Sequence, residues 1–288
     1  MIIKKLIFPI YILISKILSL FNSNFLYSKF LVRFYFAKIL LRTYNFFFFS
    51  KLSRCFYITR SDKFEQYSEA YDIIAHLLKK RKIKKILEIG IGGHTKDYQG
   101  GMSLLALSEF FSDAEVYGAD IIDKKFLNIG KIHTIELDQS NKSELIKVGK
   151  KIGPFDLIID DGSHFANHQR ISFENLFPYL QNNGYYIIED MYGNYEKALN
   201  GDPDLSIKKN NISYFANNVH AVNSFVLYNK KYQKLKNLVH IDKIFFLNKM
   251  IILQKKIKNH KIMKKSFLTR NLKQYSAKKN KKGFLEYK

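Results

Sequence analysis

The chain has 288 residues, 47% hydrophobic and 25% charged, enough to bury a sizeable core in one α/β domain with appendages. Its single cysteine, Cys55, excludes an internal disulfide framework and a cysteine-based zinc site and suits a reducing compartment. The formal net charge of +23 sits at the ends: residues 1–61 carry +10 and 229–288 carry +17, leaving −4 for 62–228, which argues against a nucleic-acid-binding core and for tails that touch something anionic.

Lys4 and Lys5 precede the apolar run Leu6 to Ile14, and Phe46 to Phe49 follow later. This run is shorter than the ~20 apolar residues of a spanning helix. No Ala-x-Ala-like cleavage site follows to make it a secretory signal. Two readings stand: a basic, aromatic segment lying on a membrane surface, or a helical cap packed on the core. Lys29 and Arg33 share one helical face, with Lys38 and Arg42 nearly opposite, so no clean amphipathic stripe emerges.

Apolar residues at Tyr71, Ile74, Leu77 and Leu78 predict a helix over 67–79. The next elements are a strand from Lys85 to Ile89, a helix from Met102 to Phe111, and strands over 114–120 and 132–138. A helix over 143–149, a strand ending at Asp160, a helix over 169–180 and a strand ending at Glu189 complete the series. Strands alternating with helices imply a doubly wound, mainly parallel sheet. Val222 to Tyr228 reads as a further strand, and the lysine-rich end beyond Lys230 shows no strong period. The organisation expected is a basic N-terminal extension over 1–61, a catalytic domain over 62–228 and a basic C-terminal extension over 229–288, its end disordered.

Two features carry chemistry. Glu88-Ile89-Gly90-Ile91-Gly92-Gly93 closes the first strand in a glycine turn, where such folds bind nucleotides, and Asp120 ends the second strand, where an acid takes ribose hydroxyls. A pyrophosphate-binding turn runs Gly-x-Gly-x-x-Gly straight into a helix; here a longer loop follows, and Glu88 would repel pyrophosphate while suiting a cationic cofactor. S-adenosylmethionine, with its sulfonium and amino groups, therefore fits better than NAD. The second feature is Asp160-Asp161-Gly162-Ser163-His164 at one strand end with Glu189-Asp190 at the next, which reads as a metal site.

With Gln99 to Leu104, Tyr117 to Asp120, Leu137 to Ser140 and Gly184 to Asp190, these motifs resemble the class I S-adenosylmethionine-dependent methyltransferases. More narrowly, the chain is similar to the metal-dependent sugar O-methyltransferases of the mycinamicin and macrocin type. The likeness runs from about Ser61 to Tyr195 and leaves both basic ends uncovered. It implies a divalent ion between Asp161, Glu189 and Asp190, and adenine beside Asp138 and Gln139. Three carboxylates with remaining waters suit Mg²⁺ or Mn²⁺. His164 is the expected base, removing the proton of a metal-acidified sugar hydroxyl before methyl transfer. His168, four residues on, reads as structural or at the substrate's edge.

The acceptor expected is a small molecule or a glycan, lipid-linked if the basic ends hold a membrane. The expected location is cytoplasmic, at the inner membrane face in that case. The rival readings are an NAD-dependent nucleotide-sugar oxidoreductase, which leaves both acid pairs idle, and a non-catalytic, membrane-peripheral protein on the same fold.

Overall fold

The computed structural model describes residues 25–47, 51–79, 81–93, 99–217, 219, 240–256, 278–279 and 285–286. Three helices precede the sheet. Helix α1 (Phe25–Phe47) lacks glycine and proline and buries Phe30, Phe34, Ala37 and Leu41, the spacing of one helical face. Its Lys38 and Arg42 both reach Glu109, at 3.7 and 3.0 Å. This part of the N-terminal extension is thus a cap packed on the core, while Leu6 to Ile14 lie outside the described residues. Helices α2 (Leu52–Thr59) and α3 (Lys63–Lys79) follow, and α3 turns Lys63, Tyr67, Tyr71, Ile74 and Leu78 inward.

The alternating series is β1 (Lys85–Ile89), α4 (Met102–Phe110), β2 (Glu115–Asp120), β3 (Ile132–Glu136), α5 (Lys142–Ile152), β4 (Phe155–Asp160), α6 (Ala166–Leu176) and β5 (Leu180–Ile188). Helix α5 starts where Asn141 accepts hydrogen bonds from the N–H groups of Ser143 and Glu144, a side-chain cap on the first turn. After α7 (Asn211–Asn217), the strands β6 (Ile241–Leu247) and β7 (Met250–Lys255) complete a seven-stranded sheet of order β3-β2-β1-β4-β5-β7-β6. The first five positions are parallel, and β7 runs antiparallel to β5 and β6. Alternate residues feed two cores. Ile86, Leu157, Ile159 and Ile187 pack towards α1 to α4, and Leu87, Ile158, Tyr186 and Ile188 pack on the face that holds Leu145, Phe173 and Phe215. This is the doubly wound sheet expected, and strand order reverses between β1 and β4, where such sheets open a crevice at their carboxyl ends.

One difference concerns the C-terminal boundary. The strands β6 and β7 fall within 229–288, read from sequence as a basic extension, yet they belong to the unit Met1–Lys255. The run Met250 to Leu253 is fully buried, and Lys255, at its end, ties β7 to the start of β5: its Nζ donates to the carbonyls of Pro178 and Leu180 at 2.7 and 2.6 Å. The second unit is Lys256–Lys288, whose described part pairs β8 (Lys278–Lys279) antiparallel with β9 (Leu285–Glu286). The strand expected at Val222 to Tyr228 lies outside the described residues. Among the described residues no helix is long and apolar enough to cross a membrane.

Candidate functional site

The last rungs of three parallel strands set the site. Gly90 N donates to Ala119 O at 2.8 Å, Asp161 N to Ile89 O at 2.9 Å and Glu189 N to Asp160 O at 2.9 Å, so the turns after β1, β4 and β5 leave the sheet side by side. Gly90 has φ +77°, and a Cβ there would overlap the Asp161 carbonyl. The glycine turn and the first acid pair are therefore in van der Waals contact, an approach only glycine permits. Lys124 holds the same turn from the other side, donating to the carbonyls of Gly92 and Gly93.

Behind this contact lies a buried charge cluster. Lys63 Nζ is 2.6 Å from Asp161 Oδ2, 2.9 Å from both Glu189 oxygens and 3.2 Å from Glu88 Oε1. The Lys63 side chain is 1% exposed. Burial alone would discharge this lysine, but Asp161 and Glu189 outweigh it and raise its pKa well above the ordinary value. Burial lifts Glu88 to about 7 against the opposing pull of Lys63, and it raises Asp161 and, with help from Asp161 itself, Glu189. With all three acids ionised, the cluster would hold more negative charge than one ammonium offsets, a repulsion that a further cation would relieve. Ser103 Oγ donates to Glu88 Oε2 at 3.0 Å, and Oε1 is ion-paired with Lys63 Nζ at 3.2 Å. Glu88 lines the cavity over the glycine turn.

The second acid pair is split. Glu189 turns inward to Lys63 and to the Tyr71 hydroxyl, while Asp190, at φ +50°, turns outward. There Asp161, His164 and Asp190 each offer a ligand atom, all within 4.8 Å of one another. The Tyr67 hydroxyl donates to Asp190 Oδ1 at 2.5 Å. Two carboxylates and an imidazole, each partly exposed, fit a divalent cation that keeps open positions for water or substrate oxygen. Glu189, expected from sequence as a third ligand, is not in that group; its carboxylate is paired with Lys63 and the Tyr71 hydroxyl. His164, also at positive φ, sets Nε2 3.7 Å from Asp190 Oδ2, and its buried Nδ1 has no partner among the described residues.

The remaining expected residues divide. Asp120 lies beside the turn, its Oδ2 accepting from Ile91 N at 3.2 Å and its Oδ1 from Ile122 N at 3.1 Å. Gly92, at φ +71°, faces open space on the Cβ side apart from Gly100. Asp138 Oδ1 accepts from Ser140, which lowers its pKa and stiffens the turn after β3. Gln139, expected against adenine, has both ends of its amide engaged: Nε2 donates to Asp160 Oδ1 at 2.6 Å and Oε1 accepts from Ser163 N at 2.9 Å. Its side chain instead ties the β3 turn to the β4 turn. His168 meets Ser163 Oγ at 2.8 Å and stacks on Phe165, a structural placement. The loop His94 to Tyr98 lies outside the described residues.

Sequence reasoning gave no role to Lys63, Tyr67 and Tyr71. Their spacing of four along α3 puts three polar heads in an otherwise apolar stripe, and that interruption was the available signal. Gln169, whose Nε2 donates to Glu189 O at 2.9 Å, gives no such signal.

A cavity of about 600 Å³ opens over the glycine turn, a volume typical of small-molecule sites. Glu88, Gly90 to Gly93, Gly101 to Ser103, Lys63 and Asp161 line it, together with residues of α1 and the corner between α2 and α3.

No family model matches the chain. It is 42% identical over 120 residues to the mycinamicin VI 2''-O-methyltransferase of Micromonospora griseorubida and, to the same extent, to the demethylmacrocin O-methyltransferase of Streptomyces fradiae, covering 42% of this chain in each case. A tetracenomycin-C rhamnosyl 3'-O-methyltransferase of Streptomyces olivaceus is 40% identical over 111 residues, 38% of this chain. The chain spans under a third of the length of these relatives: 30% of the first two and 28% of the third. Among solved structures, the MycE methyltransferase of the mycinamycin pathway, in complex with Mg, SAH and mycinamycin VI, superposes with a TM-score of 0.65 at 27% identity, over 74% of this chain and 56% of that one. The fold is that of a class I methyltransferase, and the likeness to the macrolide-sugar enzymes holds in sequence and in structure.

Proposed function

We propose that the chain is an S-adenosylmethionine-dependent O-methyltransferase, assisted by Mg²⁺ or Mn²⁺, that methylates a sugar hydroxyl. The observation that carries this reading is the contact of Gly90 with the Asp161 carbonyl at the reversal between β1 and β4, which joins a cofactor-type turn and a metal-type acid pair in one crevice. The similarity to enzymes named for O-methylation of macrolide and rhamnosyl sugars, and to a structure holding Mg and SAH, supports it.

When bound, the cofactor supplies an electrophilic methyl group and the divalent ion acidifies a neighbouring hydroxyl. The chain's residues do the rest. Glu88, which lines the cavity beside the glycine turn, receives the cofactor's ammonium. Asp120 receives its ribose hydroxyls, with Gly90 and Gly92 admitting the ligand to the backbone. Asp138 flanks the adenine side, with Gln139 fixing that turn. Asp161 and Asp190 hold the cation, and Glu189 acts one step back by anchoring Lys63. His164 takes the hydroxyl proton at Nδ1, while Nε2 lies 3.7 Å from Asp190 Oδ2. The histidine is assigned as base because its Nδ1 has no hydrogen-bond partner among the described residues.

The test is incubation with methyl-labelled S-adenosylmethionine and a panel of deoxysugar glycosides bearing vicinal hydroxyls, with Mg²⁺ or with a chelator. Labelled methoxy sugar that disappears with the chelator is expected. Transfer indifferent to the chelator contradicts the metal's role.

A further inference from the structure

Directly after Asp190 the chain forms a 3₁₀ turn, Met191–Tyr195. Met191, Gly193 and Asn194 are buried in it, whereas Tyr192 and Tyr195 are 46% and 45% exposed. Residues three apart on a 3₁₀ turn fall on one side of it, so the two aromatic rings share a side of a turn that begins beside a proposed metal ligand.

The turn is locked from within. Asn194 is 0% exposed; its Nδ2 donates to Gln169 Oε1 at 3.0 Å and to Met191 O at 3.2 Å, and its Oδ1 accepts from Asn211 N at 2.7 Å. A Cβ at Gly193 would lie 2.3 Å from His164 O, so the turn is pressed against the backbone of His164. Buried neighbours on both sides therefore hold Tyr192 out in water, with its ring centroid 6.1 Å from that of His164 and the two planes tilted by 45°.

A lone exposed tyrosine is ordinary on a protein surface. The fixed turn and the adjoining imidazole set this one apart, since an aromatic face is kept open beside the groups assigned to the acceptor hydroxyl. Asp161, His164 and Asp190 are matched to hydroxyl groups, and none of them is matched to the C–H face of a sugar ring. An aromatic ring is: its electron-rich face is complementary to the weakly positive C–H bonds on one side of a pyranose, while the hydroxyls project from the sugar's edge.

We propose that Tyr192, with Tyr195 beside it, is the platform on which the acceptor's sugar ring stacks. The inference rests on the O-methyltransferase reading and narrows its acceptor to a cyclic sugar with an apolar face, as against an open-chain polyol bearing the same hydroxyls. Tyr192 selects and orients the ring; removal of the proton stays with His164.

The test is saturation-transfer NMR titration of the full chain, in buffer containing SAH and Mg²⁺, with methyl pyranosides of the gluco, galacto and 6-deoxy series and with mannitol as the open-chain control. SAH and Mn²⁺ affinities are measured in parallel by calorimetry. The wild type is expected to bind at least one pyranoside in preference to mannitol. Tyr192→Ala is expected to weaken that binding roughly fivefold or more, with SAH and Mn²⁺ affinities unchanged, and Tyr192→Phe, which keeps the ring, to bind as the wild type does. A folded Tyr192→Ala variant that binds the pyranoside as the wild type does overturns the proposal, and so does one that loses SAH and Mn²⁺ by the same factor, which marks a structural role. Wild-type protein that binds SAH but no pyranoside also overturns it and leaves the cofactor reading intact. Pyranoside binding that depends on Tyr192 in a protein that does not bind SAH upholds the platform and sinks the methyltransferase reading.

Discussion

Lys63 Nζ lies 2.6 Å from Asp161 Oδ2, a contact between residues 98 apart in sequence that draws α3 onto the turn after β4. The same ammonium reaches Glu88 and Glu189, so one buried cation joins the cofactor side of the crevice to the metal side. Replacing Lys63 with Met leaves three buried acids without a counter-charge. The expected cost is about 3–5 kcal/mol, as for breaking other buried pairs. The penalty grows as pH rises and the acids ionise, so the variant's melting temperature falls more steeply between pH 5 and 8 than the wild type's. Thermal melts across that range check it.

Asp160 provides a separate pH dependence. Burial lifts its carboxyl to about 7 from an ordinary 3.8. An acid with a raised folded-state pKa binds its proton more tightly in the folded chain, so stability is highest below pH 4 for this term and is lost as pH climbs towards 7. Asp160→Asn removes the term. Its melting temperature is expected to vary less than the wild type's between pH 5 and 8, and parallel slopes would contradict the assignment.

The split of the second acid pair separates metal affinity from stability. Asp161→Asn and Asp190→Asn are each expected to weaken Mn²⁺ binding at least tenfold. Glu189→Gln, which disturbs the partner of Lys63 and Tyr71, is expected to lower the melting temperature with a smaller effect on the ion. Mn²⁺ titration followed by electron paramagnetic resonance, beside thermal melts, distinguishes them. Equal loss of ion binding in all three would restore Glu189 as a ligand.

For His164 the account requires a base. His164→Ala is expected to lower turnover by ~10²–10⁴-fold, the usual contribution of a positioned proton acceptor. SAH affinity should persist, because the imidazole stands on the Asp190 side of the crevice. Full activity in this variant refutes the assignment.

The strand ends were legible because short apolar runs stop at residues of another kind: Gly90 follows the first run, and Asp160 and Glu189 close the next two. Chain order then sets those ends together, since parallel strands joined by helices present their carboxyl ends on one side. Legibility failed where a residue's partner lies on another element. Lys63, the first residue of α3, precedes the helix that the apolar period marks, and its partners Glu88, Asp161 and Glu189 come together only when α3 is laid on the sheet. Gln139 follows a strand as a cofactor-binding residue does, and only the packing of the β3 turn on the β4 turn shows its amide engaged by Asp160 and Ser163. The strand β7 was hidden by Lys249 and Lys255, whose ammonium groups reach Gln66 and the carbonyls of Phe177, Pro178 and Leu180 rather than mark a tail.

The central claim is that the crevice between β1 and β4 takes S-adenosylmethionine next to a divalent ion. Calorimetric titration of the full chain with S-adenosylmethionine and, separately, with NAD, each with and without Mg²⁺, tests it most directly. Saturable binding of S-adenosylmethionine without measurable NAD binding is the predicted result; binding of NAD, or of neither, contradicts the account.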